Sequence, residues 1–334
     1  MKALVYTAPN TMHYRDEPEP AAGAGEVVIE VDAVGICGSD LHAFHARDPR
    51  RVPPLILGHE LAGTIVAGQG VGRRVTVNPL ITCGACDYCR TGRDNLCAHR
   101  TMIGMTRPGG FADRLAIPAA CVVDLPPGMD ARAAALTEPA ATGLHALNLG
   151  MRALARPLPE ARTLVIGAGA VGLLTALLAR AYGCRYVAVA ETNGLRRASA
   201  ARSGDLHVYD PATERGCDAD SVDLVIDAVG GKVTRTAALA AVKPGGVVVH
   251  IGLMDWASEI DMRKLTLAEV TLIGTYTYSM ADLRATVQAL HSGVYGALDW
   301  VEERSLAEGA GAFADLDGGC CAAAKILLRP EHIA

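Results

Sequence analysis

The chain has 334 residues, half of them hydrophobic and a fifth charged, with a formal net charge of −5. This predicts packed globular structure of about two domains, not disorder. The mild acidity and the lack of a long Lys/Arg run give no support to nucleic-acid binding, the opening turns polar too soon for a signal peptide, and runs such as AVGLLTALLA are too short to span a bilayer. A cytoplasmic protein is therefore expected. In a reducing compartment its ten cysteines read first as metal ligands or redox groups, not as a disulfide scaffold.

The N-terminal third is strand-like and punctuated by Gly and Pro. VVIEVDAVGIC (27–37), GTIVAG and RRVTVN run apolar or alternate between turns. Two polar groups interrupt this stretch. Gly35-Ile-Cys37-Gly-Ser39-Asp40-Leu-His42 follows the first strand, and Gly58-His59-Glu60 precedes Gly63. A lone Cys or His is more often a packed core residue than a ligand.

Next comes CGACDYCRTGRDNLC, in which Cys83, Cys86, Cys89 and Cys97 form C-x2-C-x2-C-x7-C. Such short spacings let one loop wrap a single ion, and four thiolates suit a closed tetrahedral zinc site. An iron–sulfur cluster is the rival reading. The Ala-rich MDARAAALTEPAATGLHALNLG, which carries Glu138, predicts helix on both sides of Pro139.

From about residue 160 strands alternate with helices. TLVIGAG, RYVAVAE, DLVIDAVG and GGVVVHIGL are short apolar runs, and VGLLTALLARAYG reads as a helix ended by Gly183. That rhythm predicts a parallel sheet with crossover helices. Gly167-Ala-Gly169-Ala-Val171-Gly172 joins the first of these strands to its helix, the context in which G-x-G-x-x-G marks a dinucleotide site. The glycines serve a tight turn, close approach of the pyrophosphate and helix–strand packing. Glu191 ends the second strand, where a carboxylate accepts from ribose hydroxyls and repels a 2′-phosphate. NAD is therefore favoured over NADP. Arg196 and Arg197 follow; a solvated helix start explains them better than phosphate recognition. The tail holds one more helical pattern, ADLRATVQALHSG, and the strand-like KILLRP.

Taken in order, CGSDLH, GHELAG, the four-cysteine lobe, TEPAATGLHAL, VIGAGAVG, PGGVVVHIGL and KILL make the chain resemble the zinc-dependent medium-chain alcohol and polyol dehydrogenases, in the sorbitol and threonine branch. The resemblance spans nearly the whole length. It implies an α/β fold: a GroES-like, β-rich catalytic domain (1–147 and 277–334, structural zinc lobe 80–100) around a Rossmann doubly wound parallel sheet (148–276). It implies that Cys37 and His59 are catalytic zinc ligands, with Glu60 and Glu138 as the acidic positions completing the site, either of them directly or through water. Cys83, Cys86, Cys89 and Cys97 would hold the structural zinc. Ser39 would take the alcohol proton, which passes by way of the cofactor ribose to His42, and Asp40 would orient His59. Val171, Val229, Gly252, Leu253 and Arg196 join Gly167, Gly169, Gly172 and Glu191 as cofactor-binding positions.

The implied activity is NAD-dependent oxidation of a small secondary alcohol, a polyol, sugar alcohol or diol, by a homodimer or homotetramer. A threonine-type amino-alcohol dehydrogenase and a non-catalytic nucleotide-binding sensor are the other readings. Sorbitol itself is disfavoured, because no arginine accompanies Tyr276 and Tyr278 and Ala43 follows His42 where that branch has tyrosine. Gln69 and Arg73 also depart from the family pattern, in a turn. His45, His99, His145, His207 and His250 are expected to be structural, and Cys121, Cys184, Cys217, Cys320 and Cys321 to be small buried residues. Phe44 and Tyr276 suit a pocket lining or plain core equally.

Overall fold

The alternating run 27–35 forms the strand Glu26–Gly35, which organises a seven-stranded sheet. One edge of it pairs antiparallel with Glu60–Ala67. The other edge is shared: Arg114–Pro118 pairs with residues 26–30, and Lys325–Arg329 with residues 34–35. The last strand of the chain is thereby brought beside Cys37. The computed structural model from which this architecture is read describes residues 1–331.

The βα rhythm after residue 160 gives a six-stranded, all-parallel sheet. Its spatial order is His207–Tyr209, Tyr186–Ala190, Arg162–Ile166, Val222–Asp227, Val242–His250, Thr271–Gly274. The order reverses between Arg162–Ile166 and Val222–Asp227, and the crevice at such a switch point is where doubly wound sheets bind nucleotides. The chain thus forms the α/β fold expected, with a β-rich sheet built from both ends of the sequence.

The helix Thr137–Ala153 joins the two sheets. Its buried residues Leu144 and Leu147 belong to one apolar core that includes Ala33 and Ala62 of the first sheet and Leu224 and Val247 of the second. The break in the Ala-rich segment lies at Leu136, not at Pro139. Pro139 sits in the first turn of the longer helix, where its missing N–H would have no intrahelical partner anyway. Two cysteines differ from expectation: Cys320 is exposed and Cys217 half-buried, whereas Cys121, Cys184 and Cys321 are buried. Phe44 is half-buried and packs against the core, its ring 5.5 Å from that of Phe313.

Candidate functional site

Cys37 lies two residues past the end of the central strand and caps the short helix Gly38–Phe44. Its N–H donates to Asp40 Oδ2 at 3.0 Å, and Ser39 N–H points at its Sγ at 3.5 Å. This box turns Asp40 back under the helix, fully buried, with Oδ1 3.4 Å from His59 Nδ1. Burial alone would raise the Asp40 pKa; the charges of His59 and Arg51 hold it below its ordinary value. Glu60 opens the neighbouring strand opposite Gly35, so His59 and Glu60 face Cys37 across the register.

The Cys37, His59 and Glu60 donor atoms all lie within 4.8 Å of one another. Glu60 Oε2 accepts from Lys325 Nζ at 2.5 Å, and Lys325 also donates to Ile36 O at 2.7 Å. Glu60 Oε1 is buried without a hydrogen-bond partner. A thiolate, an imidazole and a carboxylate converging, one with an orphaned buried oxygen, is a donor set that suits zinc and leaves a position open. Glu138 is not in this group. Its Oε1 accepts from the buried Tyr278 hydroxyl at 3.0 Å, and burial, aided by the Glu60 charge, raises its pKa to about 7.

Ser39 Oγ stands 3.4 Å from His59 Nε2. His42 is half-buried in the last turn of the same helix, and burial together with Arg47 and Arg51 pushes its pKa below the ordinary value. A neutral imidazole near physiological pH is free to accept a proton.

The cysteine lobe is a separate site. Its sulfurs are 3.5 Å (Cys86–Cys89), 3.6 Å (Cys97–Cys83) and 3.9 Å (Cys83–Cys89) apart. Four thiolates about 2.3 Å from one zinc stand roughly 3.8 Å apart, whereas a disulfide needs about 2 Å. Backbone N–H groups of Ala85 and Cys86 pull the Cys83 thiol down to about 6, toward the thiolate that binds metal.

At the carboxyl edge of the parallel sheet the fingerprint turns as expected. Gly167 has φ +96°, and a Cβ on Gly172 would meet Gly167 O at 2.0 Å. Nothing lies within 4 Å of where a Gly169 Cβ would be, which leaves room for a pyrophosphate at the N-terminus of helix Ala170–Ala181. Glu191, Val229, Gly252 and Leu253 follow the ends of neighbouring strands at this same edge. Glu191 is buried; its oxygens accept from Ala168 N at 2.8 Å and Asn193 N at 2.7 Å, with Arg196 Nη2 at 3.5 Å.

Three residues of these sites escape sequence reasoning. Lys325 leaves a faint signal, a lysine opening the apolar run KILL. Arg51, whose guanidinium donates to Ser39 Oγ at 3.2 Å, leaves none. Tyr278 is visible only by comparison with a branch the chain otherwise departs from.

Two family profiles match: alcohol dehydrogenase GroES-like domain over residues 23–127 and zinc-binding dehydrogenase over residues 170–292. L-galactonate-5-dehydrogenase of Escherichia coli K12 is 31% identical over 309 residues, 88% of each chain. L-threonine 3-dehydrogenase of Mesorhizobium japonicum is 31% identical over 310 residues, again 88% of each. Among solved structures, acetophenone reductase of Geotrichum candidum in complex with NAD superposes with a TM-score of 0.87 at 28% identity, over 98% of this chain and 96% of that one. With both profiles matched and the two curated relatives aligned over most of its length, the chain belongs to the zinc-dependent medium-chain alcohol and polyol dehydrogenase family.

Proposed function

We propose that the oxidation of alcohols this membership gives takes place at Cys37, His59 and Glu60, on a secondary alcohol of polyol or sugar-acid type. The observation that carries the placement is the convergence of these donors within 4.8 Å, with Asp40 buried behind His59. Cys37 and His59 would hold a zinc ion there, which would supply Lewis acidity to the alcohol oxygen, and a bound NAD would be the hydride acceptor. Asp40 fixes the orientation of the His59 ring. Lys325 and Tyr278 hold the Glu60 and Glu138 carboxylates, which complete the site directly or through water. Ser39 Oγ takes the alcohol proton and His42 receives it on the way to solvent. We divide the chain into a catalytic domain (1–147, 277–334) and a cofactor domain (148–276).

Cys37→Ser tests the placement. It should abolish NAD reduction and lower bound zinc by one equivalent, with the fold retained. Full activity with normal zinc would reject it. L-galactonate, L-threonine, galactitol 1-phosphate and sorbitol, each run with NAD and NADP, separate the substrate readings. Turnover of threonine alone would favour the amino-alcohol reading, and no turnover despite bound zinc and NAD the sensor. The buried Glu191 carboxylate supports a preference for NAD.

Among the described residues no helix is long and apolar enough to cross a membrane. Ten unpaired cysteines fit a reducing cytoplasm. Thr271–Gly274 is an open sheet edge, and Leu272 on it is exposed. We assign a homodimer to that edge, the building block of any tetramer, because an uncovered apolar edge strand invites pairing. Leu272→Lys should yield monomers in light scattering.

A further inference from the structure

Arg51 lies in the irregular segment between the helix Gly38–Phe44 and the Gly58-His59-Glu60 turn, and only 3% of its surface is exposed. A buried guanidinium is expected to sit against a carboxylate. Here the closest carboxylate contact is Asp48 Oδ2, at 3.9 Å. That carboxylate is already held two-fold by Arg50, at 2.8 Å and 2.9 Å. Arg51 Nε has no hydrogen-bond partner. What the guanidinium does grip is one residue, Ser39, through both terminal nitrogens: Nη1 donates to the main-chain oxygen, and Nη2 to Oγ at 3.2 Å.

From this we propose that Arg51 is a positioning residue for the proton-accepting hydroxyl: its two-pronged hold on Ser39 fixes the side-chain rotamer and the direction of the Oγ lone pairs. The proposal rests on the placement of Ser39 in the proton path. A serine hydroxyl has one hydrogen to donate and two lone pairs. Arginine only donates, so it engages one lone pair. The second lone pair stays free for the alcohol proton, and the Ser39 hydrogen is left to be passed onward. When the alcohol O–H bond breaks, a new Oγ–H bond forms as the old Oγ–H bond breaks, so the serine ends as it began. Without Arg51 the hydroxyl rotates among three staggered wells, and Oγ, 3.4 Å from His59 Nε2, spends less time in the productive one. A lysine cannot replace the fork, because a single ammonium does not present two coplanar donors to the carbonyl and Oγ.

A double-mutant cycle on the zinc-loaded enzyme with NAD tests this, using whichever of L-galactonate, L-threonine, galactitol 1-phosphate and sorbitol turns over fastest. Arg51→Gln should lower kcat roughly tenfold, a fraction of the 10²–10⁴ that a positioned proton acceptor contributes, with KM and bound zinc nearly unchanged. In a Ser39→Ala background the same change should alter kcat less than about twofold, since the residue acts through that hydroxyl. Arg51→Lys should lie near Arg51→Gln, and added guanidinium ion should restore part of the activity of Arg51→Ala. Equal losses in both backgrounds would make Arg51 merely structural and overturn the proposal. So would a loss confined to KM for anionic substrates, which would place Arg51 against the substrate. Should Arg51→Gln fail to fold, the cycle is run with Arg51→Lys and judged by the same criterion. Ser39→Ala with undiminished kcat would instead reject the proton path itself.

Discussion

Lys325 Nζ and Glu60 Oε2 meet at 2.5 Å, the lysine 3% exposed and the glutamate not at all. They are 265 residues apart. The pair exists because the strand Lys325–Arg329 closes against the end of Glu26–Gly35, which sets the ammonium behind the carboxylate. Burial would lower the lysine pKa; the Glu60 and Cys37 charges beside it raise it above its ordinary value.

Removing one partner of such a pair leaves a buried charge without compensation. Lys325→Met should therefore cost about 3–5 kcal/mol in urea unfolding. Adding Glu60→Gln to Lys325→Met should recover a large share of that loss, since no charge is then stranded. If the single variant were as stable as the parent, the pair would contribute nothing.

Tyr278 and Glu138 are the second buried contact. The hydroxyl donates to Oε1 at 3.0 Å, and the tyrosine is fully buried. Tyr278→Phe should cost about 1–3 kcal/mol, the penalty for an unsatisfied buried acceptor, and should lower kcat more than it raises KM. An unchanged melting temperature would show that water enters the gap.

Local patterns made much of this protein legible. The G-x-G-x-x-G turn, the cysteine spacing and the βα rhythm depend on residues within one element or loop. Their physical requirements are written in adjacent positions. Cys37, Asp40, His59 and Glu60 were singled out only through the family resemblance, because their meeting depends on strand register. Lys325, Arg51 and Tyr278 were not, because each acts on a residue that pairing or loop geometry brings to it. Helix lies on both sides of Pro139, as expected, but the proline occupies the first turn of the longer helix instead of making the break.

His145 and Asp282 link the helix Thr137–Ala153 to the helix Met280–His291, at 2.8 Å. Burial opposes ionisation of Asp282, but hydrogen bonds from His145 and Ser279 win, and its pKa falls to about 2. A depressed carboxylate pKa contributes stability that is present above the unfolded value, near 4, and lost as pH falls toward 2. The contribution is at most about 2.5 kcal/mol. Asp282→Asn should flatten the acid limb of the stability curve between pH 4 and 2 and leave its slope near neutrality alone. A parallel downward shift at every pH would mean that the helix cap, not the ionisation, matters.

The cysteine lobe makes the last prediction. Cys83, Cys86 and Cys89 are exposed or half-buried, so little apolar burial holds the loop. Metal binding at such a site contributes folding free energy directly. The lobe also reaches back to the rest of the protein: Asn95 Nδ2 donates to Tyr276 O at 2.8 Å, and Arg100 lies over the Tyr276 ring at 4.7 Å. Its four sulfurs leave no open coordination position for a substrate. Cys86→Ser should remove one equivalent of zinc and lower the melting temperature or weaken assembly, while enzyme that remains folded keeps most of its kcat. Folded Cys86→Ser enzyme with normal stability and no turnover would move the lobe from bracing the fold into the chemistry.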